Sequence, residues 1–148
     1  MTDRFETFTT LITRISRNIR KIKNQEMADY ELRSSHTSCL YYLYLCGELT
    51  ATDLCERCED DKATISRALD FLEQNGYITC LSESTKRYKT PLVLTEKGKQ
   101  AGKIISAKID GVLRTLDERL SEEERTTFYR CLAIISDSLD AVSKQGEE

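Results

Sequence analysis

The chain has little that interrupts a helix: one proline, Pro91, and six glycines among 148 residues. No apolar run approaches the ~18 residues of a membrane span, so no transmembrane helix is expected. The opening residues, MTDRFETF, lack the apolar centre of a secretion signal, and the expected compartment is the cytoplasm. There is one histidine, His36, no nucleophile motif and no glycine-rich phosphate loop, so neither a catalytic residue nor a cofactor is expected. There is no internal repeat and no low-complexity segment. Without an export signal, the six cysteines are expected to be reduced, small, half-buried apolar residues rather than a disulfide framework. Cys55-x-x-Cys58 has the spacing of a metal or redox pair. No second ligand pair at fixed spacing accompanies it, so no metal site is expected, and a thiol switch is the alternative.

Charge is plentiful but unevenly placed. Charged residues make up 32% of the chain, above the usual quarter or so, which suits long helices with much solvated surface. The net charge of -3 argues mildly against a nucleic-acid partner, but distribution matters more than the sum. Ser84 to Lys103 holds six cations and one acid; Thr13 to Lys23 holds five cations and no acid; Asp117 to Glu148 holds nine acids and four cations. The acidic tail reads as a solvated helix face.

Apolar spacing outlines the elements. Phe5, Phe8, Ile12, Ile15, Ile19 and Ile22 alternate three and four apart, the seam of a helix that needs a partner. After a break near Ala28 to Arg33, Ser35 to Cys46 is apolar on nearly all sides; its uninterrupted length favours a buried helix over a strand. Tyr41, Tyr42, Tyr44 and His36 can either line a ligand pocket or pack as core with satisfied polar tips. Thr50 to Cys58 opens with a capping signature, Thr50 and Asp53. Beyond Thr95 a helical stripe runs through Ile105, Ile109, Val112 and Leu116 to about Leu120, and Gly98, Gly102 and Gly111 within it mark close packing or bending. The S-x-x-E box at Ser121 to Glu124 starts a last helix, with its stripe at Phe128, Leu132, Ile135, Leu139 and Val142.

Between the terminal helices lies DDKATISRALDFLEQNGYITCLSESTKRYKTPLVLTEKG, Asp60 to Gly98. The acidic pair Asp60 and Asp61 suits helix capping. Ile65, Leu69 and Leu72, with Ala68 beside them, form one apolar stripe; the opposite face carries Lys62, Thr64, Ser66 and Arg67. Gly76 stops the helix, Tyr77 to Leu81 is β-like, Ser82 to Lys89 is a basic tip, Leu92 to Leu94 is a second β-like run, and Thr95 can cap the next helix. Helix, strand, basic tip and strand are the layout of a winged helix-turn-helix. A small, hydroxylic, cationic helix face can enter the DNA major groove, and a basic hairpin can reach the backbone beside it. Lys62 suits a phosphate; Arg67 suits a bidentate guanine contact, or alternatively an ion pair with Asp70 or Glu73 on its own helix.

At Asp61 to Ile78, DKATISRALDFLEQNGYI, and at Leu92 to Lys99, LVLTEKGK, the chain resembles the MarR family of bacterial transcription regulators. The order of elements agrees over most of the chain. The resemblance implies a mainly α fold with a small β-wing: a winged helix-turn-helix lobe at 34–99 and a helical dimerisation region at 1–30 and 100–148. It implies a homodimer on a pseudo-palindromic double-stranded operator, usually repressing, and released by a small-molecule effector. Carried onto this chain, the DNA contacts are Lys62, Thr64, Ser66 and Arg67 on the helix and Lys86, Arg87 and Lys89 on the wing; the dimer contacts are Phe5, Phe8, Ile12, Ile15, Phe128, Leu132, Ile135 and Leu139. The tip lacks the aspartate that commonly precedes the family's wing arginine, so Lys86 and Arg87 are both candidates for the groove. Two alternatives remain: a winged-helix module that meets protein instead of DNA, and a thiol- or metal-responsive form of the same regulator.

Overall fold

The computed structural model describes residues 3–58, 60–81 and 89–147. The helices are α1 (Arg4–Glu26), α2 (Ser34–Cys46), α3 (Ala51–Arg57), α4 (Lys62–Gln74), α5 (Glu96–Asp117) and α6 (Glu122–Gln145), with a 3-10 turn at Ala28–Tyr30. Two short strands, β1 (Ile78–Cys80) and β2 (Leu92–Leu94), pair antiparallel, Ile78 opposite Leu94 and Cys80 opposite Leu92. A mainly helical chain with a small β-wing is therefore what the residues build. The chain divides into two compact units, Met1–Lys108 and Ile109–Glu148.

The core of the first unit follows from the spacing. Ile65, Ala68, Leu69 and Leu72 of α4 are all buried where this helix packs against α2 and α3, whose Leu40, Leu43 and Leu54 are also buried. Burying each such side chain contributes roughly 1.5–3 kcal/mol, so this three-helix contact anchors the unit. Leu92 of β2 is wholly buried and exchanges backbone hydrogen bonds with Leu49 as well as pairing with β1. That single-residue bridge ties the segment before α3 to the wing; one residue is too short to show as a periodic pattern.

Helix boundaries follow the capping chemistry. Thr50 and Asp53 form a reciprocal box at α3, with Asp53 N–H to Thr50 Oγ1 at 3.1 Å and Thr50 N–H to Asp53 Oδ2 at 2.9 Å. After α4, Gly76 adopts φ +75°, a left-handed conformation open to glycine at no steric cost, and the Tyr77 amide turns back to the Leu72 carbonyl. Thr95 then joins three elements. Its hydroxyl donates to the Gly76 carbonyl at 2.6 Å and accepts from the Gly98 amide at 3.1 Å, while its own amide bonds to the Tyr77 carbonyl at 3.0 Å.

Two of the three α5 glycines mark close packing. A Cβ on Gly98 would run into the Tyr77 carbonyl oxygen, and one on Gly102 would lie 2.7 Å from Tyr44 Cβ. Gly111 has nothing within 4 Å of such a Cβ.

In the second unit, Ser121 and Glu124 form the capping box of α6, with the Ser121 amide 2.7 Å from Glu124 Oε2. Arg125 braces the turn before it, donating to the Leu120 carbonyl at 2.8 Å and pairing with Asp117 at 3.3 Å. Neither α1 nor α6 buries a single residue. Phe5, Ile12 and Ile15 on α1 and Phe128 and Leu139 on α6 are exposed, whereas Phe8, Leu132 and Ile135 are half-buried. No helix among the described residues is long and apolar enough to cross a membrane.

Candidate nucleic-acid interface and a charged cavity

The α4 helix separates its two faces cleanly. With Ile65, Ala68, Leu69 and Leu72 turned inward, Lys62 and Arg67 are left exposed and Thr64 and Ser66 half-buried. Asp61 caps the helix: its Oδ1 accepts from the Thr64 amide at 2.7 Å, and this bond holds its carboxyl below the usual aspartate range. The Arg67 guanidinium lies back along α4 and donates to Thr64 Oγ1 at 3.3 Å. The arrangement keeps a cation and a hydroxyl together on the outer face, ready to exchange an internal bond for an external acceptor.

The far end of α4 is also braced. Lys97 of α5 donates to the Asn75 carbonyl at 2.7 Å and sits 4.3 Å from the centre of the Tyr77 ring. A cation at a helix C-terminus complements the exposed carbonyls there. Of the wing cations, Lys89 is exposed at the base of the hairpin, while Lys86 and Arg87 lie outside the described residues.

Asp60 departs from the capping expectation. Only Asp61 caps α4; Asp60 faces Arg20 of α1 at 4.0 Å. There it joins a cavity of about 120 Å³ inside the first unit. Among the described residues, Arg20 and Lys23 of α1 and Arg57 at the end of α3 supply three cations against one acid, Asp60. Ser34, Ser38 and Tyr42 add hydroxyls, and Ile19 and Cys58 complete the wall. Lys23 donates to Ser38 Oγ at 3.0 Å, which fixes its ammonium at the rim. The site is too small for a drug-sized ligand, whose pockets run roughly 300–1,000 Å³, but its charge and donors suit a small anion.

The aromatic cluster resolves into separate roles. Tyr42 lines the cavity, and Tyr41 packs edge-on against it at 5.6 Å. Tyr44 lies beneath Gly102. His36 stacks on Phe71 at 4.2 Å, and its Nδ1 accepts from the Arg33 amide at 3.0 Å. Burial, with Arg33 beside it, lowers its pKa and keeps the ring neutral. It is therefore a packing residue and does not line the cavity. Among the cysteines, the Cys58 thiol and burial together raise the pKa of Cys39 on α2, and burial with Cys58 raises that of Cys55. Among the described residues, no group of three or more His, Cys, Asp or Glu side chains is placed to hold a metal ion.

Sequence reasoning missed the cavity because its charges come from segments some forty positions apart, and no local spacing joins Arg20 to Asp60. The five cations between Thr13 and Lys23 were the one available signal.

Comparison with known proteins agrees with this geometry. Residues 32–83 match the model of the MarR family. An uncharacterised HTH-type transcriptional regulator of Bacillus subtilis, YwoH, is 26% identical over 117 residues, covering 79% of this chain and 85% of that protein. The Staphylococcus aureus MepR–DNA complex superposes with a TM-score of 0.78 at 25% identity, over 89% of this chain and 97% of that one. A MarR family regulator from Neisseria meningitidis gives a TM-score of 0.81 at 19% identity, over 98% and 99% of the two chains. Staphylococcus aureus MarR in complex with salicylate and kanamycin gives 0.77 at 19%, over 90% of each. Residues 32–83 thus match the MarR family model, and the chain has the winged-helix fold of the solved MarR regulators.

Proposed function

We propose that the protein is a cytoplasmic, DNA-binding transcription regulator that acts as a homodimer and represses until a small molecule releases it. The observation that carries this is the α4 helix: four buried side chains hold it down, and Lys62, Thr64, Ser66 and Arg67 are left facing out. In this reading Lys62 meets a phosphate, and Arg67 gives up its bond to Thr64 to read a guanine edge. Lys86, Arg87 and Lys89 of the wing reach the neighbouring backbone. The likeness to MepR, solved in complex with DNA, supports the assignment.

One lobe with four or five groove contacts binds weakly, so two are needed, held roughly 34–36 Å apart on successive major grooves. The regions 1–30 and 100–148 are assigned to that pairing, and 34–99 to the DNA-binding lobe. The exposed apolar rows Phe5, Ile12 and Ile15 on α1 and Phe128 and Leu139 on α6, with the half-buried Phe8, Leu132 and Ile135, are surfaces that solitary proteins rarely leave in water. For the effector, the cavity with three cations and one acid favours a small anion, and MarR of Staphylococcus aureus has been crystallised with salicylate and kanamycin.

A gel shift with palindromic fragments from the region upstream of the protein's own gene tests the reading. Binding should weaken steeply with salt, by a slope near 0.9 per phosphate neutralised. A protein that shifts no fragment at low salt refutes it.

A further inference from the structure

We propose that Arg17 and Lys21 of α1 are a second set of phosphate contacts, extending the surface that grips the DNA backbone beyond α4 and the wing. The inference rests on the DNA-binding function proposed above. It gives a further task to a helix assigned there to pairing.

The starting point is a surplus of charge. Between Thr7 and Gln25, α1 holds five cations and no acid. Two of them are engaged at the cavity: Arg20 faces Asp60 at 4.0 Å, and Lys23 donates to Ser38 Oγ at 3.0 Å. Arg14, Arg17 and Lys21 are left exposed. Arg17 and Lys21 are four positions apart, neighbours on one face, and Arg17 stands three before Arg20. Like charges at these spacings repel along a helix, and no acid lies three or four positions from Arg17 or Lys21 to relieve them. Ordinary solvated faces intersperse the two signs. This row does not, and an anion from outside the helix is what would balance it.

The row also stands clear of the pairing surface. At the helical period Arg17 and Lys21 fall on the side of α1 opposite Ile12, Ile15 and Ile19. A second copy seated on the apolar row leaves both cations in solvent.

Two contacts within the first unit fix where the row lies. Arg20 sets it against the turn that enters α4, because Asp60 immediately precedes the cap Asp61, and Lys62 then opens the helix as an exposed cation. One turn further along α1, Asn24 Oδ1 accepts from the Ser34 amide at 2.6 Å, at the first residue of α2. A helix rises ~1.5 Å per residue, so along the axis Arg17 and Lys21 stand within about 5 Å of Arg20. They therefore flank the end of the reading helix that leads into the groove. The N-terminal residues of such a helix meet base edges, and the phosphate strands bordering the groove pass beside them. The occupant is thus the operator backbone, whose charge complements the row and continues the contact begun by Lys62.

The test uses the full chain, with binding followed by fluorescence anisotropy over a range of salt. The probes are a palindromic fragment from upstream of the protein's own gene and a random duplex of equal length. Arg17→Gln with Lys21→Gln should weaken binding to both by about tenfold at low salt and reduce the salt slope by about 1.8, leaving the ratio between the two duplexes unchanged. Arg17→Lys with Lys21→Arg, which keeps both charges, should recover the slope. Arg14→Gln, about 9 Å from Arg20 along the axis, should keep the parent slope. Hydroxyl-radical footprints should lose protection at the edges of each half-site in the glutamine variant. An unchanged slope overturns the inference and leaves the row to an acidic protein surface. An equal fall from Arg14→Gln overturns it too, since bulk charge would then explain the loss, and so does a loss confined to one sequence. A parent that binds neither duplex sinks the regulator reading and this inference together; a parent that binds with a slope the glutamines do not move sinks this inference alone.

Discussion

Alanine at Gly98 and alanine at Gly111 should move stability in opposite directions, although both positions lie within α5. In an open helix interior, glycine to alanine is favourable by about 1 kcal/mol. Gly111 offers that case, since a Cβ there meets nothing within 4 Å, and Gly111→Ala should stabilise by roughly 0.5–1 kcal/mol. At Gly98 the same gain is opposed. The new Cβ would overlap the Tyr77 carbonyl oxygen and lie 3.0 Å from Leu94 Cδ2. That oxygen is backbone and cannot rotate aside; it already accepts from Thr95, from the amide at 3.0 Å and the hydroxyl at 3.2 Å. Overpacking costs typically 1–3 kcal/mol, and each of the two strained hydrogen bonds roughly 1 kcal/mol more, so against the gain of about 1 kcal/mol the net is a loss of about 2–4 kcal/mol. For a chain of this size each kcal/mol is worth about 2–4 °C, so Gly98→Ala should lower Tm by roughly 4–16 °C and Gly111→Ala raise it by about 1–4 °C. Thermal unfolding followed by circular dichroism measures both. If Gly98→Ala raises Tm as Gly111→Ala does, α5 does not press on β1 as closely as described.

Thr95→Val keeps the shape and removes the hydroxyl, leaving the Gly76 carbonyl and Gly98 amide without their partner; a loss of about 1–2 kcal/mol is expected in denaturant unfolding. His36 is the chain's single histidine, so its imidazole resonances report one titration, and the midpoint should lie below the ordinary imidazole value. Because its folded pKa is depressed, the neutral-ring contribution is complete above the unfolded pKa and declines as pH falls through that value towards the folded one; urea midpoints between neutral and mildly acidic pH should show the decline in the parent and less of it in His36→Phe. Lys62→Ala should weaken DNA binding on all sequences alike and reduce the salt slope by about 0.9, whereas Arg67→Ala should cost roughly 1–3 kcal/mol and relax discrimination at one base position. Ile12→Asp combined with Phe128→Asp should shift sedimentation from dimer to monomer; an unchanged sedimentation coefficient would place the pairing surface elsewhere.

The sequence was most readable where structure is decided within a turn or two. The boxes at Thr50–Asp53 and Ser121–Glu124, the Asp61 cap and Gly76 each act over three or four residues, and the elements begin and end there. The α4 stripe was equally plain, because burial repeats at the helical period. The first wing strand came out shorter than the expected Tyr77 to Leu81, although Leu81 still bonds to the Pro91 carbonyl beyond the named strand. What stayed hidden depends on which distant faces meet. Asp60 read as a cap because acids suit helix starts, and nothing local announces Arg20 opposite it. His36 read with the tyrosines because they are neighbours on one helix, whereas its stacking partner Phe71 is supplied by α4. Cys58 read with Cys55 for the same reason, and its influence on Cys39 of α2 required coordinates. The hydroxyl-bearing, cationic face of α4 could be picked out from residue types alone, but the bond between Arg67 and Thr64 required coordinates.

The joint at Thr95 has a mechanical consequence. Its hydrogen bonds link the exit of α4 at Gly76, the entry to β1 at Tyr77 and the first turn of α5 at Gly98, and glycine at 98 lets the last two touch. These bonds hold the first turn of α5 against the exit of α4. In the proposed regulator, a change of angle at the start of α5 would therefore reach α4 through this corner, with no ligand needed beside the duplex.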